Sequence, residues 1–384
     1  MDTGIKKIKK AVIVPDSFKG TMTSLEVCKI INKAFKKIKP AVKTVQIPIA
    51  DGGEGTADAF LYAAGGEKIF VKSKNPLFED ISCYYAILKD KKTAVIETSA
   101  ASGLTLIENK KDPINSSTFG TGLLIMDALE KNCEKIILSL GGSATTDGGA
   151  GIIAALGAKL LDKNNKEIIP SNRGLENLKY IDETKMDKRL KNIKFTAACD
   201  VDNILCGKSG AAYVFGPQKG ADEKTVKSMD KNLKKYSGLL FEKTKIDVKN
   251  IPKTGAAGGI LASLICFPEY FNCKIKSGID IILEIVNFDE IIKDADLIIT
   301  GEGNFDSQSL RGKAVFGIAK RAKMQNKPVI VIAGGTKEYG DKIYDLGIEA
   351  VFSSCSGLYK DLNELKRSCK NDLLKTTENI LRLI

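Results

Sequence analysis

The sequence predicts an α/β fold in two domains: a doubly wound parallel sheet assembled from both ends of the chain, and an α/β domain with a mixed sheet inserted between them. Three observations predict it. Short apolar runs alternate with amphipathic helical stretches near the start of the chain and again toward its end. Three strand-like runs follow one another in the middle with only short turns between them. The length, 384 residues, is long for one core and suggests two or three domains.

AVIVP (11–15) is a short apolar run of the buried-strand kind. TSLEVCKIINKAFKKI (23–38) carries apolar residues at helical spacing behind a threonine that can cap it. TVQIPIA (44–50) reads as the second strand. KIFVKS, ISCYYAIL and KTAVIET, within 68–98, predict antiparallel or mixed pairing because their turns are too short for crossovers. KIILSL (135–140) is a further strand, and helices are expected near 118–131, 149–157, 222–243 and 256–267. The alternation then resumes with DLIIT (296–300), a helix over about 312–325, PVIVIAG (328–334), another helix, AVFSS (350–354) and a charged amphipathic helix to the end. The terminal pieces, 1–65 plus 288–384, are expected to form a flavodoxin-like domain and 66–287 the inserted one. The active site is expected in the cleft between them.

Composition narrows the chemistry. Histidine is absent, so no Ser–His or Cys–His catalytic pair exists and acid–base work falls to Asp, Glu or Lys. Nine cysteines form no CxxC pair, which argues against a thiolate zinc site and leaves a hard cation on oxygen ligands. Their odd, scattered placement fits reduced thiols. No apolar run approaches the ~20 residues of a membrane span, and MDTGIKKIKK has an early acid and no apolar core, unlike a signal peptide. A cytoplasmic protein with no membrane partner is expected. The net charge is +12, but the densest runs (KKIKK at 6–10, KKIK at 36–39, KDKK at 89–92) have no interleaved aromatics. No nucleic-acid partner is expected, whereas a mildly positive field favours small anions.

Residues 141–151 read GGSATTDGGAG, with five glycines in eleven positions and one carboxylate. A turn needs one or two glycines, so this stretch reads either as a loop between strand and helix or as a cradle whose bare backbone meets an anion. The usual nucleotide signatures are missing. GNFDSQSLRGKA (303–314) has the wrong spacing for a P-loop, and GEGNFD (301–306) has Asp where a third glycine belongs. Separate glycine and acid clusters recur instead at predicted strand ends: PDSFKG (15–20), ADGGEGT (50–56), ETSAASGL (97–104), STFGTG (117–122), CDVDN (199–203), VFGPQKGA (214–221), GAAGG (255–259) and GEGNFDSQSLRGKA (301–314). Exposed backbone beside carboxylates and lysines is what phosphoryl transfer requires.

PDSFKG, ADGGEGT, GGSATTDGGAG, CDVDN, VFGPQKGA and ITGEG followed by DSQSLRGKA together resemble the bacterial glycerate kinase family, of the type also found in glyoxylate and glucarate catabolism. The resemblance runs in order from Val14 to Ser353. It implies ATP-dependent phosphorylation of D-glycerate, most often to 2-phosphoglycerate, with Mg²⁺, by a two-domain α/β protein. Small molecules are then the partners, and the chain is expected to be a monomer or homodimer. Three positions depart from the family pattern. Asn304 follows GEG where the family usually has Arg, Thr146 replaces a common Asn, and Ile204 a common Pro. If position 304 grips an anion, losing the charged fork weakens it by about 1–3 kcal/mol; Arg311 is close enough in sequence to substitute.

Roles implied by the resemblance fall on numbered residues. Asp16, Lys19, Asp147 and Asp200 are the catalytic candidates. Lys19 would neutralise the transferring phosphoryl group or the glycerate carboxylate, with Asp16 orienting it or acting as base. Asp147 would stand near the metal or the attacking hydroxyl, or else cap the following helix. Asp51 and Glu54 would hold Mg²⁺, against the alternative of a capping pair. Asp200 and Asp202 alternate, so one of the two is expected to face the site. Substrate or nucleotide binding falls to Ser17, Gly52, Gly53, Ser99, Gly141, Gly142, Ser143, Gly148, Gly301, Glu302, Asp306, Arg311 and Lys313. A kinase of a related hydroxy acid and a non-catalytic anion binder are the competing functions.

Overall fold

The computed structural model describes residues 8–49, 55–306, 314–355 and 359–384. The chain divides into two units, one from Met1–Asp51, Tyr62–Ala64 and Ile279–Ile384, the other from Gly52–Leu61 and Gly65–Gly278.

The first unit begins with β1 (Lys10–Ile13), buried from Ala11 onward, followed by the helix Ser24–Ile38 and β2 (Lys43–Gln46). That helix starts where the sequence says it should. Thr23 Oγ1 accepts from Glu26 N at 3.2 Å and the Glu26 carboxylate accepts from Thr23 N at 2.9 Å, a reciprocal capping box. Val27, Cys28, Ile31, Ala34 and Phe35 form its buried stripe, at the i, i+3, i+4 spacing read from the sequence. Each of the larger side chains contributes about 1.5–3 kcal/mol by leaving water. β2 stops at Gln46, sooner than TVQIPIA suggests, because Pro48 has no N–H to give the ladder.

The chain then builds the second unit. After the helix Thr56–Ala64 come β3 (Gly66–Lys74), β4 (Asp80–Leu88) and β5 (Thr93–Glu97), paired antiparallel in sequence as the short turns require. β6 (Lys135–Ser139) lies parallel to β5. A separate antiparallel pair, β7 (Lys159–Leu161) and β8 (Tyr180–Asp182), precedes β9 (Lys194–Ala198) and β10 (Asn272–Lys276). The sheet runs β10-β9-β6-β5-β4-β3, parallel from β10 to β5 and antiparallel beyond, the mixed sheet the sequence predicts. Helices Phe119–Glu130 and Glu223–Thr244 match the expected segments. The stretch expected to be one helix over 256–267 is split, a 3-10 turn at Ala256–Gly258 and a helix at Ile260–Cys266, because Gly258 and Gly259 both adopt positive φ.

Back in the first unit, β11 (Leu297–Thr300), β12 (Asn304–Phe305), the helix Ala314–Met324, β13 (Val329–Ala333), β14 (Gly335–Thr336), β15 (Ile348–Ser353) and the helix Leu362–Leu383 complete the chain. The sheet order is β15-β13-β11-β1-β2, parallel throughout. Counted within this unit the order is 2-1-3-4-5, that of flavodoxin-like folds. Between β14 and β15, where a helix is expected, the chain makes only a 3-10 turn, Asp341–Leu346, bounded by Gly340 and Gly347 at positive φ. Among the described residues no helix is long and apolar enough to cross a membrane.

Candidate active site

In a doubly wound sheet the strand order reverses at one point, and the loops leaving the carboxyl ends there diverge and leave a crevice. In the first unit that point lies between β1 and β11. Backbone bonds continue past both strands, from Val14 N to Ile299 O and from Asp16 N to Gly301 O, each 2.8 Å. Phe18 N donates to Met22 O at 2.8 Å around Gly20, at φ 80°, so a tight turn carries Lys19 at an exposed tip. Asp16 is buried at the base of this turn, and its Oδ1 accepts from Ser17 N at 2.6 Å.

The β11 loop packs against the same turn. A Cβ on Gly303 would stand 3.1 Å from Lys19 N, a tight contact that shows how closely the two loops approach. Glu302 is buried and its carbonyl accepts from Gly334 N at 2.9 Å. Asn304 is exposed, with Nδ2 3.4 Å from the Asp306 carboxylate. Asp16, Ser17, Lys19, Gly301, Glu302 and Asp306 therefore gather at one end of one sheet. Arg311 and Lys313 lie outside the described residues, as do Asp51, Gly52, Gly53 and Glu54.

In the second unit β5, β6, β9 and β10 are parallel, so their carboxyl ends share one edge. Leu104 N donates to Gly142 O and Ala144 N to Ser102 O, each 2.9 Å, joining the loops after β5 and β6. At the carboxyl end of β5, Glu97 is buried and takes Ala57 N at 2.7 Å, Gly55 N at 3.3 Å and Ser99 Oγ at 3.2 Å. Burial pushes its carboxyl up, and these donors pull it back. After β9, Asp200 is exposed and accepts from Gly278 N at 3.3 Å, while Asp202 pairs with Lys253 at 2.9 Å. Lys253 also feels the charge of Asp200, so both aspartates contribute to its surroundings.

The glycine-rich loop after β6 splits in two. Gly141 is half-buried and Gly142, at φ 72°, is exposed, whereas every residue from Ser143 to Gly151 is buried. Asp147 is wholly enclosed. Its Oδ2 accepts from Thr118 N and Thr118 Oγ1, each 2.8 Å, and from Gly151 N at 3.1 Å; its Oδ1 accepts from Gly149 N at 3.1 Å. Burial pushes this carboxyl up against the pull of the four donors. Gly149 is the N-cap of the helix Ala150–Ala155 and Gly151 its second residue, so Asp147, two residues before the cap, ties the start of that helix to Thr118. The glycines of this half serve internal packing. A Cβ at Gly148 would stand 2.7 Å from the Tyr236 ring, and one at Gly151 2.4 Å from Phe119 N.

Sequence reasoning missed Glu97, Thr118 and Lys219 as members of these clusters. The segments ETSAASGL, STFGTG and VFGPQKGA marked their neighbourhoods, but nothing in one-dimensional spacing shows which side chain turns inward.

Residues 11–384 match the model of the glycerate kinase family. The chain belongs to the glycerate kinase family. It is 45% identical over 372 residues to the glycerate kinase of Bacillus cereus, and 43% identical over 372 residues to the glycerate 2-kinase of Escherichia coli K12, covering 97% of each chain in both cases. A crystal structure described as glycerate kinase 2 from Salmonella typhimurium LT2 superposes with a TM-score of 0.86 at 38% identity, over 98% of each chain. As a member of this family the chain is a phosphotransferase with an alcohol group as acceptor.

Among the described residues no three Asp, Glu or Cys side chains converge on a metal position. A kinase Mg²⁺ needs no such cage, since it keeps waters and takes one or two carboxylates together with phosphate oxygens. Strand-end carboxylates such as Asp16, Glu302 and Asp200 are donors of that hard kind.

Proposed function

We propose that this chain transfers the γ-phosphoryl group of ATP to the C2 hydroxyl of D-glycerate, with Mg²⁺, giving 2-phosphoglycerate. The observation that carries the reading is the switch point of the parallel sheet, where Asp16, Ser17 and Lys19 meet Gly301, Glu302 and Asp306 in a chain 43% identical to a glycerate 2-kinase over 97% of its length. Phosphoryl transfer with a loose transition state asks chiefly for positioning and charge. Lys19, at an exposed turn, is suited to the carboxylate of glycerate or to the transferring phosphoryl group. Arg311 and Lys313 supply further positive charge nearby in sequence. Gly141, Gly142 and Ser143, together with Ser99 in the segment after β5, are assigned to phosphate binding in the second unit.

Asp51 and Glu54 remain the proposed Mg²⁺ ligands. When bound, the ion would supply positive charge against the negative charge that develops in phosphoryl transfer. Asp200 is kept as a candidate to orient the acceptor. Asp147 and Gly148 are reassigned to holding the loop, because the Asp147 carboxylate is saturated by internal donors. All nine cysteines are free thiols, which suits a reducing compartment, and we place the enzyme in the cytoplasm as a monomer or homodimer.

Proton-coupled ³¹P NMR after incubation with MgATP and D-glycerate tests the proposal. A new phosphomonoester doublet is expected, since phosphorus on the C2 oxygen couples to one proton. A triplet would move the phosphate to the C3 oxygen and refute the position. ATP left intact, beside an active control enzyme, would refute glycerate as substrate.

A further inference from the structure

Lys219 lies at the end of the 3-10 turn Pro217–Lys219 and is 3% exposed. Lysine usually extends its ammonium to water. Here the turn directs it inward: Lys219 N donates to Gly216 O at 3.0 Å, and Gly220, at φ 98°, closes the turn behind it. The ammonium donates to the Thr145 carbonyl at 2.6 Å and to Ser143 Oγ at 3.3 Å. Asp147, held by its own four donors, is the ionisable group that faces it.

The second of these bonds fixes the chemistry of Ser143. An ammonium has three donors and no acceptor, so the serine oxygen accepts and its hydroxyl proton remains to be given elsewhere. Among the described residues nothing takes that proton, although Ser143 is 7% exposed. Next to it stand half-buried Gly141 and exposed Gly142, which bring backbone amides without side chains. We propose that Lys219 is a positioning residue which, through Ser143, turns the Gly141–Ser143 loop into a donor site for phosphate oxygens, those of the nucleotide or of the phosphorylated acid. This rests on the kinase reading above for the source of the phosphate.

The arrangement has a direction with pH. Burial pushes the Lys219 ammonium down to about 7, with Asp147 opposing the fall. Once deprotonated, the amine nitrogen has a lone pair and can accept the Ser143 proton. The hydroxyl then turns inward, and phosphate affinity falls as pH rises through that range.

Isothermal titration calorimetry without turnover tests this, using MgADP, 2-phosphoglycerate and inorganic phosphate as separate probes at about pH 6 and about pH 8.5. The proteins are wild type, Lys219→Met, Ser143→Ala and the double variant. The probe that occupies the loop is expected to bind wild type about tenfold more weakly at the higher pH, after subtracting the trend of Ser143→Ala, which carries the ligand's own titration. Each single variant is expected to weaken that probe about tenfold at the lower pH, with the double variant no weaker than either. MgADP responding alone assigns the loop to the nucleotide, and 2-phosphoglycerate alone to the acid. Wild-type affinity in Lys219→Met, or additive losses in the double variant, would overturn the proposal. If Lys219→Met does not fold, by circular dichroism, the pH difference between wild type and Ser143→Ala decides, and equal profiles overturn it. A wild type that turns over D-glycerate while Lys219→Met binds equally well sinks this inference alone. A wild type that binds none of the probes sinks the kinase reading with it.

Discussion

Asp147→Asn keeps the shape of the side chain and removes one acceptor, so it distinguishes a carboxylate that holds a loop from one that works on substrate. The amide can keep its oxygen where Oδ2 now meets Thr118 N, Thr118 Oγ1 and Gly151 N. Its nitrogen then faces Gly149 N, donor against donor, where Oδ1 accepted at 3.1 Å. One buried N–H without a partner costs about 1–3 kcal/mol. The other three bonds lose their charge assistance, roughly halving each. Burial of the charge, which pushes the Asp147 carboxyl up, is relieved in the variant and offsets part of the loss. A net destabilisation of about 2–4 kcal/mol is expected. Urea unfolding at neutral pH measures it, and kcat at saturating substrates, taken well below the unfolding midpoint, should stay within about threefold of wild type. An unchanged midpoint with kcat reduced more than about a hundredfold would refute the reasoning and return Asp147 to the chemistry.

Two further substitutions probe the two units separately. Gly258→Ala places a Cβ 1.9 Å from the Thr145 carbonyl at φ 69°, so a loss of about 3 kcal/mol in urea unfolding is expected; a stable variant would mean the loop tolerates displacement of that carbonyl. Lys19→Met, at an exposed turn, should leave the thermal midpoint unchanged while lowering kcat/KM for D-glycerate by about tenfold or more, with Lys19→Arg recovering part of it. Equal kcat/KM in Lys19→Met would remove the lysine from the site.

The fold was legible because its signals are local and periodic. AVIVP, DLIIT and PVIVIAG are apolar runs that a parallel strand buried on both faces requires, and they became β1, β11 and β13. Thr23 marked a helix start as a capping residue, and the structure adds Glu26, three residues on, as the other half of a capping box. What failed was local interruption. The split at Gly258–Gly259 depends on positive φ at both glycines, and a sequence pattern shows that glycine is present without showing which conformation it adopts. The expected helix before β15 failed for the same reason, since Gly340 and Gly347 confine Asp341–Leu346 to a short turn.

The site was legible as far as topology carries it. Loops that leave parallel strands at the switch point open onto its crevice, so PDSFKG and GEGNFD, read at the ends of predicted strands, come together once the folded sheet sets the strand order. GGSATTDGGAG shows where that reasoning stops. Glycine is required wherever two chains come too close for a Cβ, and the requirement is the same whether the other chain is a ligand or the protein itself. Gly148 meets Tyr236 and Gly151 meets Phe119 N, partners 88 and 32 residues away by subtraction of their numbers, so the demand is tertiary and invisible in the loop. The same holds for charge: Asp147 and Lys219 are as polar in the sequence as any surface pair, yet both are enclosed. Burying two charges is tolerated only with their donors and acceptors supplied, and here the partners are Thr118, the loop amides, the Thr145 carbonyl and Ser143. The buried half of the loop is thus built as a rigid base, and the more open Gly141–Gly142 half inherits its orientation from it. Under the proposed phosphate-binding role, a loop fixed from behind would need no reorganisation when the anion arrives, the condition under which backbone donors contribute most to phosphoryl transfer.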